Sequence, residues 1–132
     1  MRDLEVWAPR ALAVLRIVAA LLFVEHGAQK LFNFPPGEHF VGFNLAVLPG
    51  WAGLLEFFGG LLLLLGLFTR PVAFLLSGEM AVAYWMVHAQ QGPFPANNGG
   101  DAAILFCFVF LYIVVAGPGA WALDHRMTRR RR

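Results

Sequence analysis

Apolar positions in this chain neither alternate nor keep to one helical stripe. They run on almost unbroken in four long stretches separated by proline, glycine and arginine. Continuous runs of this kind, about 20 residues long, are what a helix needs to cross a hydrocarbon core about 30 Å thick. The pattern predicts four spans, at about residues 9–34, 51–68, 71–90 and 101–121. Pro9 and Pro71 suit a first helical turn, where the missing N–H is no loss. Thr69 and Arg70 alone link the second and third spans, so those two are expected to form a tight antiparallel hairpin. Small residues on both, Gly53, Gly59, Gly60 and Gly66 against Ala73, Ser77 and Ala81, are expected to provide its contact surfaces. Gly117-Pro118-Gly119 is expected to distort the end of the fourth span.

The segments between the spans are short. Residues 34–50 hold Phe40, Val41, Phe43, Leu45, Val47 and Leu48 between two proline signals, and read as an interfacial segment or short helix over the bundle. Residues 91–100 are turn-forming, with Asn98 or Asp101 as candidate caps for the fourth span. One domain covers the whole chain, 1–132.

Charge orients the bundle. Arg2, Arg10, Arg70, Arg126 and Arg129–Arg132 all fall on one side of the four spans, and neither segment on the other side contains lysine or arginine. The positive-inside rule then places both termini in the cytoplasm. Trp51 and Trp85 near one boundary and Trp7 and Trp121 near the other support that orientation independently. The basic tail, 125–132, reads as a cytoplasmic anchor on anionic headgroups rather than a nucleic-acid patch. A cleaved signal peptide is disfavoured because Asp3 and Glu5 interrupt the start and no A-x-A site follows.

Composition agrees: 59% of the 132 residues are hydrophobic and 14% charged, which excludes a disordered or ordinary soluble chain. The single cysteine, Cys107, excludes an internal disulfide and a CxxC pair, and is expected to pack as a small hydrophobe.

Against this background the informative residues are the ionisable ones inside the spans, each of which should face protein or water. Most gather in the outer half: Glu25, His26, Gln29 and Lys30 on the first span, Glu56 on the second and His88 on the third. Glu56 lies about 7–8 Å below Trp51 and Glu79 about 16 Å down the third span. Glu56 is expected to pair with Lys30 or His26, Glu25 to face His88 or lipid headgroups. Glu79 is expected to be protonated or paired with Arg16. Such a cluster can hold a polar head group and exchange protons with it while the lipid side admits an apolar tail. Quinones fit that description, with His26 and Glu56 as the proton-handling pair and Glu25, Gln29, Lys30, Glu79 and His88 as ligand-binding groups. Haem is disfavoured because His26 and His88 differ in depth. Metal is disfavoured because no helix has His-x-x-x-His or Glu-x-x-His spacing.

Taken in order, Arg16 with His26-Gly27-x-Gln29-Lys30-Leu31, Glu56-x-x-Gly59-Gly60, Gly66-x-x-Thr69-Arg70, Glu79-Met80, His88 and Gly117-Pro118-Gly119-x-Trp121-x-x-Asp124 resemble the DoxX family. The resemblance implies a four-helix protein of the bacterial or archaeal inner membrane, similar to subunits of thiosulfate:quinone oxidoreductase or to membrane partners of redox and sulfur-transfer enzymes. The expected role is therefore a component of a redox system rather than a stand-alone enzyme. Two other readings stay open: a non-catalytic scaffold recruiting a redox or sulfur-transfer enzyme, and a small-solute or proton transporter using Glu79. The expected partners are the lipid bilayer, a redox enzyme and further copies of the chain, with no nucleic acid.

Overall fold

The computed structural model describes residues 2–130; of the basic tail, Arg131 and Arg132 lie outside the described residues. Among the described residues the chain is helical, without strands. The long helices are α1 (Ala8–Phe32), α2 (Leu48–Leu65), α3 (Thr69–Gln91) and α4 (Asp101–Ala116), followed by a short α5 (Asp124–Arg130). Helices α1 to α3 are long and apolar enough to cross a membrane, whereas α4, with 16 residues, is a shorter apolar helix.

Where the observed boundaries differ from those the sequence predicts, backbone chemistry explains the difference. The fourth helix stops at Ala116 instead of running to 121, because Gly117 leaves helical geometry at φ 90° and Pro118 follows. Residues 34–47 form turns and no helix. Their start is pinned by Val41 and Gly42, whose N–H groups both donate to the Lys30 carbonyl at 2.9 Å. Neither Asn98 nor Asp101 caps α4, whose N-cap is Gly100. Asn98 instead knots its own loop: its Oδ1 accepts from Gly100 N–H at 2.8 Å and its Nδ2 donates to the Gly92 carbonyl at 2.9 Å.

Helix rotation also differs from the expected hairpin surfaces. In α2, Gly53 faces Lys30 and Leu31, and Gly60 faces Ala20 and Val24, so these glycines seat α2 on α1; Gly59 alone of the three faces α3, at Leu76. Ser77 of α3 turns to α4, where its Oγ donates to the Cys107 carbonyl at 2.8 Å. Two close pairs, α1 with α2 and α3 with α4, therefore meet around Phe23, Leu63, Leu76, Phe110 and Ile113. Phe23 holds the centre edge-on to Phe110 and Phe106, at 4.6 and 4.9 Å between ring centroids. Gly27 marks the closest approach: a Cβ there would lie 2.4 Å from the backbone nitrogen of Phe57.

At the arginine-rich end, the start of α1, the α2–α3 turn and the chain after α4 are laced together. Ala120 N–H donates to the Pro9 carbonyl at 2.8 Å, and Asp124 N–H to the Gly66 carbonyl at 3.0 Å. Arg70, which the sequence offers as an orientation charge, caps the other end of its neighbour. Its guanidinium donates to the Val114 and Val115 carbonyls at the close of α4. Asp124 accepts from Phe68 N–H at 2.8 Å and Thr69 N–H at 3.0 Å, satisfying the first turn of α3 from across the fold. Asp124→Ala is expected to cost about 1–2 kcal/mol, as loss of a helix cap does, read as a lowered thermal midpoint in detergent. An unchanged midpoint would show that water replaces the carboxylate there.

Candidate functional site

The site grows from the end of α1 and the start of α2. Gly27 and Gly53 let the two backbones close up, and this brings Lys30, in the last turn of α1, beside Glu56. The ammonium donates to Glu56 Oε1 at 2.6 Å, the one ion pair among the described residues. Glu56 is 4% exposed, and its other oxygen, Oε2, is buried without a hydrogen-bond partner among the described residues. It stands in a single turn of π-helix, Leu55–Gly59. Such a turn widens the helix and is frequent at functional sites.

Glu79 enters from α3, near enough to Glu56 and Lys30 for both charges to act on it. Both its carboxyl oxygens are buried and neither has a partner among the described residues. The expected alternative of pairing with Arg16 does not occur. The Arg16 guanidinium is wholly buried at the opposite end and donates to the carbonyls of Pro118, Ala120 and Trp121. Lys30, Glu56 and Glu79 thus lie within electrostatic reach of one another, a cluster of one ammonium and two carboxyls in which three carboxyl oxygens lack a donor among the described residues.

The other predicted residues lie around this cluster or away from it. Gln29 is half-buried and donates to the Pro35 carbonyl at 3.2 Å, tying α1 to the turn beyond it. His88 lies in the second π-turn, Tyr84–His88, stacked beside Tyr84 with its Nδ1 3.1 Å from the Asn98 carbonyl. Glu25 and His26 are exposed on the outer surface of α1, and His26 Nδ1 bonds the Leu22 carbonyl of its own helix at 2.7 Å. Of the two partners that sequence offers Glu56, the structure selects Lys30. No hydrogen bond joins His26 to Glu56, or Glu25 to His88, among the described residues.

The sequence reading did not foresee the part played by Asn98 and Tyr84. Asn98 is 2% exposed and its Nδ2 also reaches the Tyr84 hydroxyl at 3.5 Å, so the loop over α3 and α4 is fastened to the π-turn carrying His88. The available signal was the Asn-Gly-Gly run directly before an apolar span, which needs a local anchor for its turn.

Comparison with known proteins identifies relatives of the whole chain. The family model for DoxX matches residues 11–89, which include Lys30, Glu56 and Glu79. An uncharacterized protein of Haemophilus influenzae is 44% identical over 137 residues, covering 98% of this chain and all of that one. The inner membrane protein YphA of Escherichia coli is 30% identical over 129 residues, covering 89% of this chain and 91% of that one. An uncharacterized membrane protein of Mycobacterium tuberculosis, Rv3486, is 31% identical over 148 residues, covering 98% of this chain and 88% of its own. No solved structure matches. With several helices able to cross a bilayer and relatives named as inner membrane proteins, this is a multi-pass protein of the inner membrane. The chain belongs to the DoxX family.

Proposed function

We propose that the chain is a membrane-embedded component of a redox system that holds the polar head of a quinone-class amphiphile at the Lys30–Glu56–Glu79 cluster. The observation that carries this reading is the set of three buried carboxyl oxygens, Glu56 Oε2 and both of Glu79, without a hydrogen-bond donor. A buried acceptor left unpaired is costly, so the cluster is completed by something that brings hydrogens. A quinol brings two hydroxyl donors on a flat apolar ring, whereas the oxidised quinone offers acceptors only. The reduced form is therefore the better match to the carboxyls, with Lys30 supplying the donor that a carbonyl would need. His88 and Gln29, on the rim, are held in place by Asn98 and Pro35. With His26 exposed and bonded to the Leu22 carbonyl of its own helix, this reading assigns proton handling to Glu56 and Glu79. The positive-inside count supports placing the cluster towards the outer face of the membrane.

The test is native mass spectrometry and lipid extraction of gently purified protein, followed by titration with short-chain ubiquinol and ubiquinone. The expected result is about one quinone-class molecule per chain, with ubiquinol bound about tenfold more tightly than ubiquinone, a difference of about 1.4 kcal/mol. Glu79→Gln, whose amide supplies the missing donor itself, is expected to abolish retention and leave the thermal midpoint near that of the parent. Failure of the parent to bind either form, or equal binding by Glu56→Gln, Glu79→Gln and the parent, would overturn the reading. The scaffold alternative would then lead, since α5 presents Arg126 and Arg129 exposed.

A further inference from the structure

The outer surface of α1 carries a feature that the buried cluster does not use. Val14, Val18, Leu21 and Leu22 are 41–51% exposed on one side of the helix, as a lipid-facing stripe should be. At the three- and four-residue spacing of that stripe come Glu25 and His26, both exposed. They lie six and seven residues before Phe32, where α1 ends, or about 9–11 Å along the helix. Among the described residues Glu25 has neither a hydrogen bond nor an ion pair. The one hydrogen bond of His26 is to a carbonyl, an acceptor, so Nδ1 is an N–H and Nε2 has no partner among the described residues. A carboxylate and an imidazole side by side on a span's lipid face need covering by protein.

We propose that this face is covered by the same face of a second copy, in a parallel two-fold pair in which the Glu25 carboxylate of each copy accepts from Nε2–H of the other copy's His26, held as the imidazolium with a proton on both ring nitrogens. Charge complementarity selects that partner. The patch holds one acidic and one basic group at the same depth, one residue apart, so a two-fold axis along the membrane normal sets each group against its opposite. Two ion pairs form with no further chain. A different partner would have to offer the same two groups in mirror order. This inference stands apart from the ligand reading, since neither residue touches the Lys30–Glu56–Glu79 cluster.

The test uses full-length chain in its membrane, with Cys107→Ser removing the native thiol. Leu22→Cys on the proposed face should cross-link to a dimer on oxidation, while Phe108→Cys, exposed on α4, should not. Glu25→Ala and His26→Ala are each expected to raise the dimer's dissociation constant about tenfold or more. Both side chains lie outside the packed interior, so the thermal midpoint of either variant checks that the bundle is intact. Co-expression of differently tagged copies decides the matter. A Glu25→Ala copy beside a His26→Ala copy keeps one of the two cross-pairs, and either copy with itself keeps none. Mixed dimers should therefore exceed their statistical share. A monomeric parent, cross-linking at position 108 equal to that at position 22, or mixed dimers at the statistical share would each overturn the proposal.

Discussion

Arg16→Met is expected to lower the stability of the folded bundle by about 3–5 kcal/mol. The Arg16 side chain has no solvent exposure and lies eight residues into α1, facing a stretch of chain that has left helical geometry. Pro118, Ala120 and Trp121 present carbonyls there that no helix ladder satisfies, and one guanidinium donates to all three. Irregular backbone at membrane depth is tolerated only where protein satisfies it. Methionine fills much the same volume and supplies no donor, so the loss falls on the carbonyls and not on packing. Gly66 closes around the same point: its backbone is left-handed at φ 65°, and a Cβ there would stand 2.8 Å from Arg16 Nη1 and 2.6 Å from Ala122 Cβ. The measurement is thermal unfolding in detergent, with limited proteolysis reporting release of residues 117–123. Arg16→Lys should recover only part of the loss, because an ammonium is a point donor and cannot span three carbonyls as a planar fork does. A methionine variant within about 1 kcal/mol of the parent would show that the carbonyls find other donors.

How much of this was legible in the sequence follows from what hydrocarbon demands. The apolar runs are visible without structure because a span must be long and continuous, and Gly117-Pro118-Gly119 advertised the break at the end of the last one. Rotation was not legible. A helix in lipid is apolar nearly all round, so α1 offers no stripe to say that Lys30 turns inward while Glu25 and His26 turn out. Glu56 was visible as a carboxyl in need of a cation, and Glu79 as one short of a partner, but the choice of Lys30 over His26 depends on the approach at Gly27 and Gly53. The glycines of α2 suggested a contact surface correctly and its owner wrongly, since chain adjacency favoured α3 and packing selected α1. The arginines misled in a similar way. Their positions along the chain carry the orientation signal, while Arg16 and Arg70 also act as carbonyl caps. A buried cation on one span and a Gly-Pro-Gly break on another are complementary needs, and could have been matched.

Lys30→Met alone and Lys30→Met together with Glu56→Leu are expected to separate stability from ligand holding at the cluster. Removing the ammonium leaves Glu56, 4% exposed, with no counter-charge at Oε1 and still none at Oε2, and should cost about 3–5 kcal/mol. Removing both charges and filling the space with apolar side chains should return the bundle to within about 1 kcal/mol of the parent, or make it more stable. The pair would then be retained for a reason other than stability, because an apolar isostere serves the fold as well. Ligand retention should be lost in the single and the double variant alike, since the double variant keeps Glu79 but neither Lys30 nor the Glu56 oxygens. Thermal unfolding in one detergent gives the first half of the result and extraction of bound amphiphile the second. A double variant as unstable as Lys30→Met would mean that the ion pair itself holds α1 to α2. A stable double variant that still retains ligand would move the binding site away from Glu56 and leave Glu79 to be tested alone.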